Sequence, residues 1–390
     1  MGGPLRVRPF LSSLALLAAA PAAVPGEEVR DLGPLLTKVV ADHGVPGMAA
    51  AIVQARGAEI VQNRRAPAAV TALGAAGVRA RGSDAKVLPT DRFHLGSCTK
   101  AMTATLCAML VEEGKLAWDT PVAKALEDPS KADPGWKGAT LEHLLTMRAG
   151  APPDLGEDGL WARLWAREGT PTEQRAALAL GVLGKPPMHP PGKESGYANA
   201  SYALAGHLAE KAAGKPYEDL LRERIFAPLE MDSAGFGAPG SADALDAPRG
   251  HDSLGRAVPP GPLADNPPAI APAGTVHATI GDWAKFVALH VDGALTRWRL
   301  LEGKTFRRLQ TAPGDPNADG YAMGWQVTRR PWGGRVLTHA GSNTMWTCVA
   351  WIAPEKGFAV LAACNEGGDK GAGACDAAAA AMIRNLQAPR

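Results

Sequence analysis

The spacing of apolar positions changes twice along this chain, from strand-like to helical and back. "VPGMAAAIVQARGAEIVQ" (45–62) holds two apolar runs around a glycine-bearing break, the pattern of a β-hairpin. From there to about residue 92 the chain is rich in Ala and Gly and fits neither period. "AMTATLCAMLVEEGK" (101–115) is apolar on nearly every helical face until Glu112. This predicts a helix buried all round, stopped at Gly114, with Lys115 suiting its carboxyl end. Helical spacing continues in "TLEHLLTMRAG" (140–150), which has a Thr cap and a Gly stop, and in 201–216, 216–231 and 279–293. Residues 236–275 carry many Gly, Pro, Ala and Asp and predict a long surface excursion. Four β-rich runs then follow, "GYAMGWQVTR", "GRVLTHAG", "MWTCVAWIAP" and "GFAVLAACN", predicting an antiparallel meander closed by an Ala-rich helix over 375–387.

Strands at both ends and helices between them predict an α+β fold. The expected architecture is an antiparallel sheet built from N- and C-terminal segments and flanked by helices, with an all-α insertion over about 116–275. An active site would lie in the cleft between the two parts. Residues 1–26 stand apart. Two arginines, the apolar run "FLSSLALLAAA" and the small residues of "APAAVPG" follow the order of a secretory signal peptide cleaved at about 20–26. An uncleaved anchor is the alternative, although the run is shorter than the roughly 20 residues that span a bilayer. The remaining 27–390 is read as one exported domain, periplasmic or secreted, without a stable membrane span after cleavage.

Composition narrows the partners. A hydrophobic content of 46% supports a large core, and a net charge of +2 from scattered charges gives no reason to expect a nucleic acid. The five cysteines include Cys364 and Cys375, which flank "NEGGDKGAGA" and could pair in an oxidising compartment; the alternative is that all are small buried residues. No His/Cys cluster suggests a metal, and no cofactor is expected. Oligomeric state has no signature.

The chemistry starts at "FHLGSCTKAMTATL" (93–106). A serine hydroxyl needs a neighbour to take its proton. Lys100 lies one helical turn after Ser97, on the same face, at the start of the buried helix. A serine there also offers an unpaired backbone N–H to a developing oxyanion. Burial and the positive helix end both lower a lysine's pKa toward that of a base. "GSDAK" at 82–86 has the same spelling around Ser83, but it is polar and runs into Val-Leu-Pro. For Ser97 alone, a plain helix cap remains open. Cys98 points about 100° away on the helix and is read as a packing residue.

Two companions matter. Tyr197 is the one tyrosine of four with Asn two residues on, Asn199, just before a predicted helix. In an extended turn these two share a face, so a phenol and an amide can point into one cleft. His339-Ala340-Gly341 ends a strand, where Gly341 would let a substrate backbone approach and the Ser342 N–H could be a second oxyanion donor. "HLG" at 94–96 is a decoy for this triplet.

Ser-x-x-Lys, Tyr-x-Asn and His-x-Gly, in this order, resemble the serine β-lactamase and penicillin-binding superfamily. The nearest branch is that of class C β-lactamases, D,D-peptidases and family VIII esterases, with "VPGMAAAIV", "LEHLLTMRAG", "PPGKESGYANASYALAG", "YAMGWQV" and "HAGSN" as further landmarks. The resemblance implies Ser97 as the acylated nucleophile, Lys100 as its base or relay, and Tyr197 as partner general base. It implies Asn199, His339, Gly341 and Ser342 as substrate-binding groups. His339 stands where many lactamases have lysine, which shifts the expected substrate from a β-lactam toward a D-Ala-type peptide or small ester. The expected function is an exported serine hydrolase acting through an acyl-enzyme on a small or peptidoglycan-derived amide or ester, with a β-lactam, a D-Ala-type peptide and a small ester all open as substrate. A module that senses penicillin or peptidoglycan without turnover is the alternative. A Ser-His-Asp hydrolase is weaker, because no Gly-x-Ser-x-Gly elbow exists.

Overall fold

The computed structural model describes residues 29–55, 60–61, 64–65, 68–156, 159–292, 300–314 and 318–388. The expected signal segment, 1–26, lies outside them. Eight strands form the main sheet in the order Arg30–Asp31, Ala69–Gly77, Gly47–Gln54, Phe358–Cys364, Thr347–Ala353, Gly334–Ser342, Gln326–Arg330 and Gly320–Tyr321. All pairs are antiparallel except the first, which is parallel. The expected junction of the two ends of the chain is the pair Gly47–Gln54 and Phe358–Cys364, with Ala51 opposite Leu361.

These central strands are buried on both faces, which explains why their sequences run continuously apolar. Met48, Ala50 and Ile52 join a layer with Leu36 and Val39 of helix Gly33–His43 and with Ala374, Ala378 and Met382 of helix Gly368–Gln387. Ala49, Ala51 and Val53 face the larger core, which holds Trp283 and Phe286 of helix Ile280–Asp292. The two-residue period of the strand thus divides one run between two layers.

Helix Thr99–Glu112 is buried from Thr99 through Ala108 on every face, as its composition predicts, and Gly114 turns left-handed just past its end (φ 72°). Its threonines are satisfied internally: Thr103 Oγ1 donates to the Pro272 carbonyl at 2.7 Å and meets the Tyr217 hydroxyl at 2.7 Å. The four C-terminal runs form the expected meander, the first divided between Gly320–Tyr321 and Gln326–Arg330.

Several expectations are corrected. The hairpin over 45–62 does not form. Gly47–Gln54 pairs instead with Ala69–Gly77, and Ile60–Val61 pairs with Arg64–Arg65. Side-chain alternation cannot reveal which strand is the partner. The 140–150 helix is only Leu141–Leu145, although Thr140 caps it as expected by accepting from the His143 N–H. Residues 116–275 are not wholly helical, since they include the strands Gly235–Phe236, Gly250–His251 and Ala257–Val258. The 236–275 stretch is not all surface either. Ala269, Ile270, Ala271 and Ala273 are at most 3% exposed, and their small size lets this segment pack against helices Thr99–Glu112 and Asn199–Ala213.

The Gly-rich stretch before Cys375 is the first part of helix Gly368–Gln387. Cys364 and Cys375 are buried and unpaired, as are the other three cysteines. Burial pushes the Cys107 and Cys364 thiols up to about 12 and raises Cys375 as well. Alkylation of the native chain followed by peptide mapping is therefore expected to leave Cys107, Cys364 and Cys375 unmodified and free. A Cys364–Cys375 cross-linked peptide from non-reduced protein would refute this.

Candidate active site

Ser97 sits in the single turn Gly96–Cys98 that leads from strand Arg92–His94 into helix Thr99–Glu112. Gly96 is left-handed there (φ 46°), and a Cβ on it would lie 2.3 Å from the Ser342 nitrogen. A Cβ on Gly341 would lie 2.0 Å from the Leu95 carbonyl oxygen. The two glycines therefore let the end of strand Gly334–Ser342 press against the serine turn. Gly341 makes room for the protein's own backbone, whereas the spacing alone suggested room for a substrate.

Lys100 is fully buried, and its Nζ makes three hydrogen bonds, to Ser97 Oγ (3.0 Å), Asn199 Oδ1 (2.8 Å) and the Ala273 carbonyl (2.7 Å). All three partners are neutral. With no carboxylate to repay desolvation, burial brings Lys100 down from 10.5 to about 7. Tyr197 donates its hydroxyl to Ser97 Oγ at 2.7 Å. The residue is 45% exposed, and desolvation on the side that faces the site pushes its hydroxyl up to about 12. Ala198 is extended (φ −145°, ψ 126°) just before helix Asn199–Ala213, so Tyr197 and Asn199 converge on the Ser97–Lys100 pair as their spacing predicts. The Lys100 ammonium also lies 4.8 Å from the centroid of the Tyr197 ring.

His339 is nearby but turned to another task. Its Nδ1 faces the Ala340 carbonyl at 2.6 Å and donates there, and its Nε2 lies 3.1 Å from the Tyr321 hydroxyl. Tyr197, Tyr321 and His339 form an aromatic cluster with centroids 5.8–6.2 Å apart. Ser342 Oγ accepts from the Thr344 N–H at 2.9 Å, and its backbone nitrogen adjoins Gly96.

Ser83 plays no part in this constellation; its Oγ accepts from the Ala85 N–H at 3.0 Å within a turn. Cys98 is buried, with Sγ 3.4 Å from the His339 carbonyl oxygen and 3.5 Å from Cys348 Sγ, which fits the packing role. Two contributors escaped the sequence. The Ala273 carbonyl carries no side-chain signal, and Tyr321 sat in a quoted landmark without an assigned task. Among the described residues no group of three or more His, Cys, Asp or Glu could hold a metal ion, and no helix is long and apolar enough to cross a membrane.

Comparison with known proteins bears on the family and the fold. The family model described as Beta-lactamase matches residues 33–382. The chain is 28% identical over 302 residues to "Unguisins hydrolase ungD'" of Aspergillus campestris (strain IBT 28561), covering 72% of this chain and 53% of that protein. It is 31% identical over 221 residues to "Penicillin-binding protein 4" of Amycolatopsis lactamdurans, covering 56% and 55%. The chain thus spans about half the length of these curated relatives. The octameric penicillin-binding protein homologue from Pyrococcus abyssi shares the fold, with a TM-score of 0.70, 24% identity and coverage of 90% of this chain and 76% of that one. The chain belongs to the β-lactamase family, a serine-hydrolase-type group that takes in penicillin-binding proteins.

Proposed function

We propose that this chain is a serine hydrolase that forms an acyl-enzyme on Ser97. The observation that carries the reading is the convergence of a buried lysine, brought down to about 7, and a phenol on one serine oxygen. At neutral pH a large share of Lys100 is uncharged, and its lone pair can accept the Ser97 proton across 3.0 Å. Ser97 Oγ then attacks the substrate carbonyl carbon. The resulting oxyanion is held by the N–H groups of Ser97 and Ser342. Tyr197, held protonated, passes its hydroxyl proton to the leaving group and recovers one from Lys100. Water next attacks the Ser97 ester by the same route in reverse, returning the proton to Ser97.

His339 supports a choice among substrates. Its two ring nitrogens are engaged by the Ala340 carbonyl and the Tyr321 hydroxyl, so the position lacks the free ammonium that a lysine would offer a substrate carboxylate. Small esters and amides without a nearby carboxylate are therefore the proposed substrates, ahead of β-lactams and D-Ala-type peptides. We also propose export, on the basic-then-apolar order of residues 1–26.

A panel of short p-nitrophenyl esters, a D-Ala-D-Ala peptide and a chromogenic cephalosporin tests the ranking, with the esters expected to give the highest kcat/KM. Intact-mass spectrometry over time after each compound is expected to show an adduct that forms and decays. An adduct that persists with every compound would replace the hydrolase reading by that of an acylated sensor. Faster turnover of the cephalosporin would overturn the ranking.

A further inference from the structure

We propose that Asp265 is a positioning residue that locks the two arms of the oxyanion site together, acting through His94 on one arm and Asn343 on the other. The proposal rests on the reading of Ser97 as nucleophile. His94 ends strand Arg92–His94 and is 1% exposed. Its Nδ1 accepts the Gly96 N–H at 3.1 Å, so the ring proton sits on Nε2. Nε2 lies 2.9 Å from Asp265 Oδ1, a close polar contact that is off the line of a well-aligned hydrogen bond. The same Oδ1 receives Nδ2 of Asn343 at 3.2 Å, and that amide also donates to the Ala264 carbonyl at 3.1 Å.

The positions in the chain give this cluster its meaning. His94 holds the nitrogen of the residue immediately before Ser97. Asn343 immediately follows Ser342. One carboxylate oxygen therefore reaches the turn that carries the first oxyanion donor and the strand end that carries the second. All three side chains are at most 7% exposed, so the Asn343 hydrogen bonds and the close His94–Asp265 contact are sheltered from water. Asp265 is itself clamped, because Arg167 donates to its main-chain carbonyl at 2.7 Å. An oxyanion site works only if its donors are already aimed when the charge develops, and misplacement by about 1 Å can cost about 100-fold. Asp265 was not singled out from the sequence, His94 entered only in a decoy triplet, and Asn343 only as the end of the landmark "HAGSN".

The test uses Asp265→Ala, Asp265→Asn and Asn343→Ala, each assayed with a p-nitrophenyl ester. Rates are normalised to the fraction of Ser97 labelled at completion by a fluorophosphonate. D265A is expected to lower kcat per labelled serine by about 10- to 100-fold, with KM within about 3-fold. D265N keeps an oxygen acceptor for both partners and is expected to recover most of the loss. N343A spares the His94–Asp265 contact, and so serves if D265A does not fold; it is expected to lower kcat about 10-fold. A phenylboronic acid, which places an oxygen in the oxyanion site, is expected to lose affinity in parallel. If kcat per labelled serine stays at the wild-type value in N343A and in the folded Asp265 variants, Asp265 is structural only and the proposal is overturned. If wild-type Ser97 takes no label, the nucleophile reading itself has failed, and the proposal with it.

Discussion

Replacing Ser97 by Ala is expected to abolish covalent labelling and to lower kcat/KM by about 10^4-fold or more, while leaving the chain folded. Removing a nucleophilic serine costs on this scale because the groups around it have no other atom to activate. The fold should survive because the change deletes one oxygen. Lys100 keeps its hydrogen bonds to Asn199 Oδ1 (2.8 Å) and the Ala273 carbonyl (2.7 Å), and helix Thr99–Glu112 keeps its buried faces. Circular dichroism and thermal melting check the fold, and intact mass checks the adduct. Turnover near the wild-type rate, or an adduct that moves to Cys98, would remove Ser97 from the mechanism. Cys98 is the sharper control, being adjacent in sequence and yet packed against Cys348.

Acylation is expected to rise with pH through about 7 and then level, because only the uncharged Lys100 amine can take the serine proton. Lys100→Met is expected to slow acylation by about 10^2- to 10^4-fold. The burial that lowers this pKa also gives a signature in stability. Lys100 holds its proton less tightly in the folded chain, at about 7, than at its ordinary value of 10.5. Below about 7 both states are protonated and the full cost of burying the charge is present. Between about 7 and 10.5 the unfolded state binds more protons, so that cost fades as pH rises. The melting temperature of the wild type relative to K100M should therefore climb across that window, with the other titrating groups cancelling in the difference. A rate profile with no break near 7 would mean that the Lys100 amine is not the base that titrates there.

Much of the site was legible because its pieces are local. Ser97 and Lys100 are one helical turn apart, and the apolar residues after them require burial, which is what makes a lysine useful as a base. Tyr197 and Asn199 are two apart before a helix start, so their convergence follows from extended geometry at Ala198. The decoy at Ser83 was separable for the same reason, since no apolar helix follows it. His339 was legible as a neighbour but not as a partner of Tyr321, because Gly320–Tyr321 and Gly334–Ser342 lie on either side of Gln326–Arg330 in the sheet.

By itself the sequence determined the elements whose signals are short-range. These are the all-round apolar helix after Ser97, the C-terminal meander and the helix signals at Thr140 and Gly114, each set by propensity and spacing within a few residues. Tertiary structure alone decided the pairing of Gly47–Gln54 with Ala69–Gly77 and Phe358–Cys364, since many strands present the same apolar face. It also turned the Pro- and Ala-rich 268–274 stretch inward, where a carbonyl with no side-chain signature becomes a ligand of Lys100. The physical reason is common to both. Local pattern encodes which face is buried, while backbone polar groups and strand partners are selected only when distant segments compete to fill the same space.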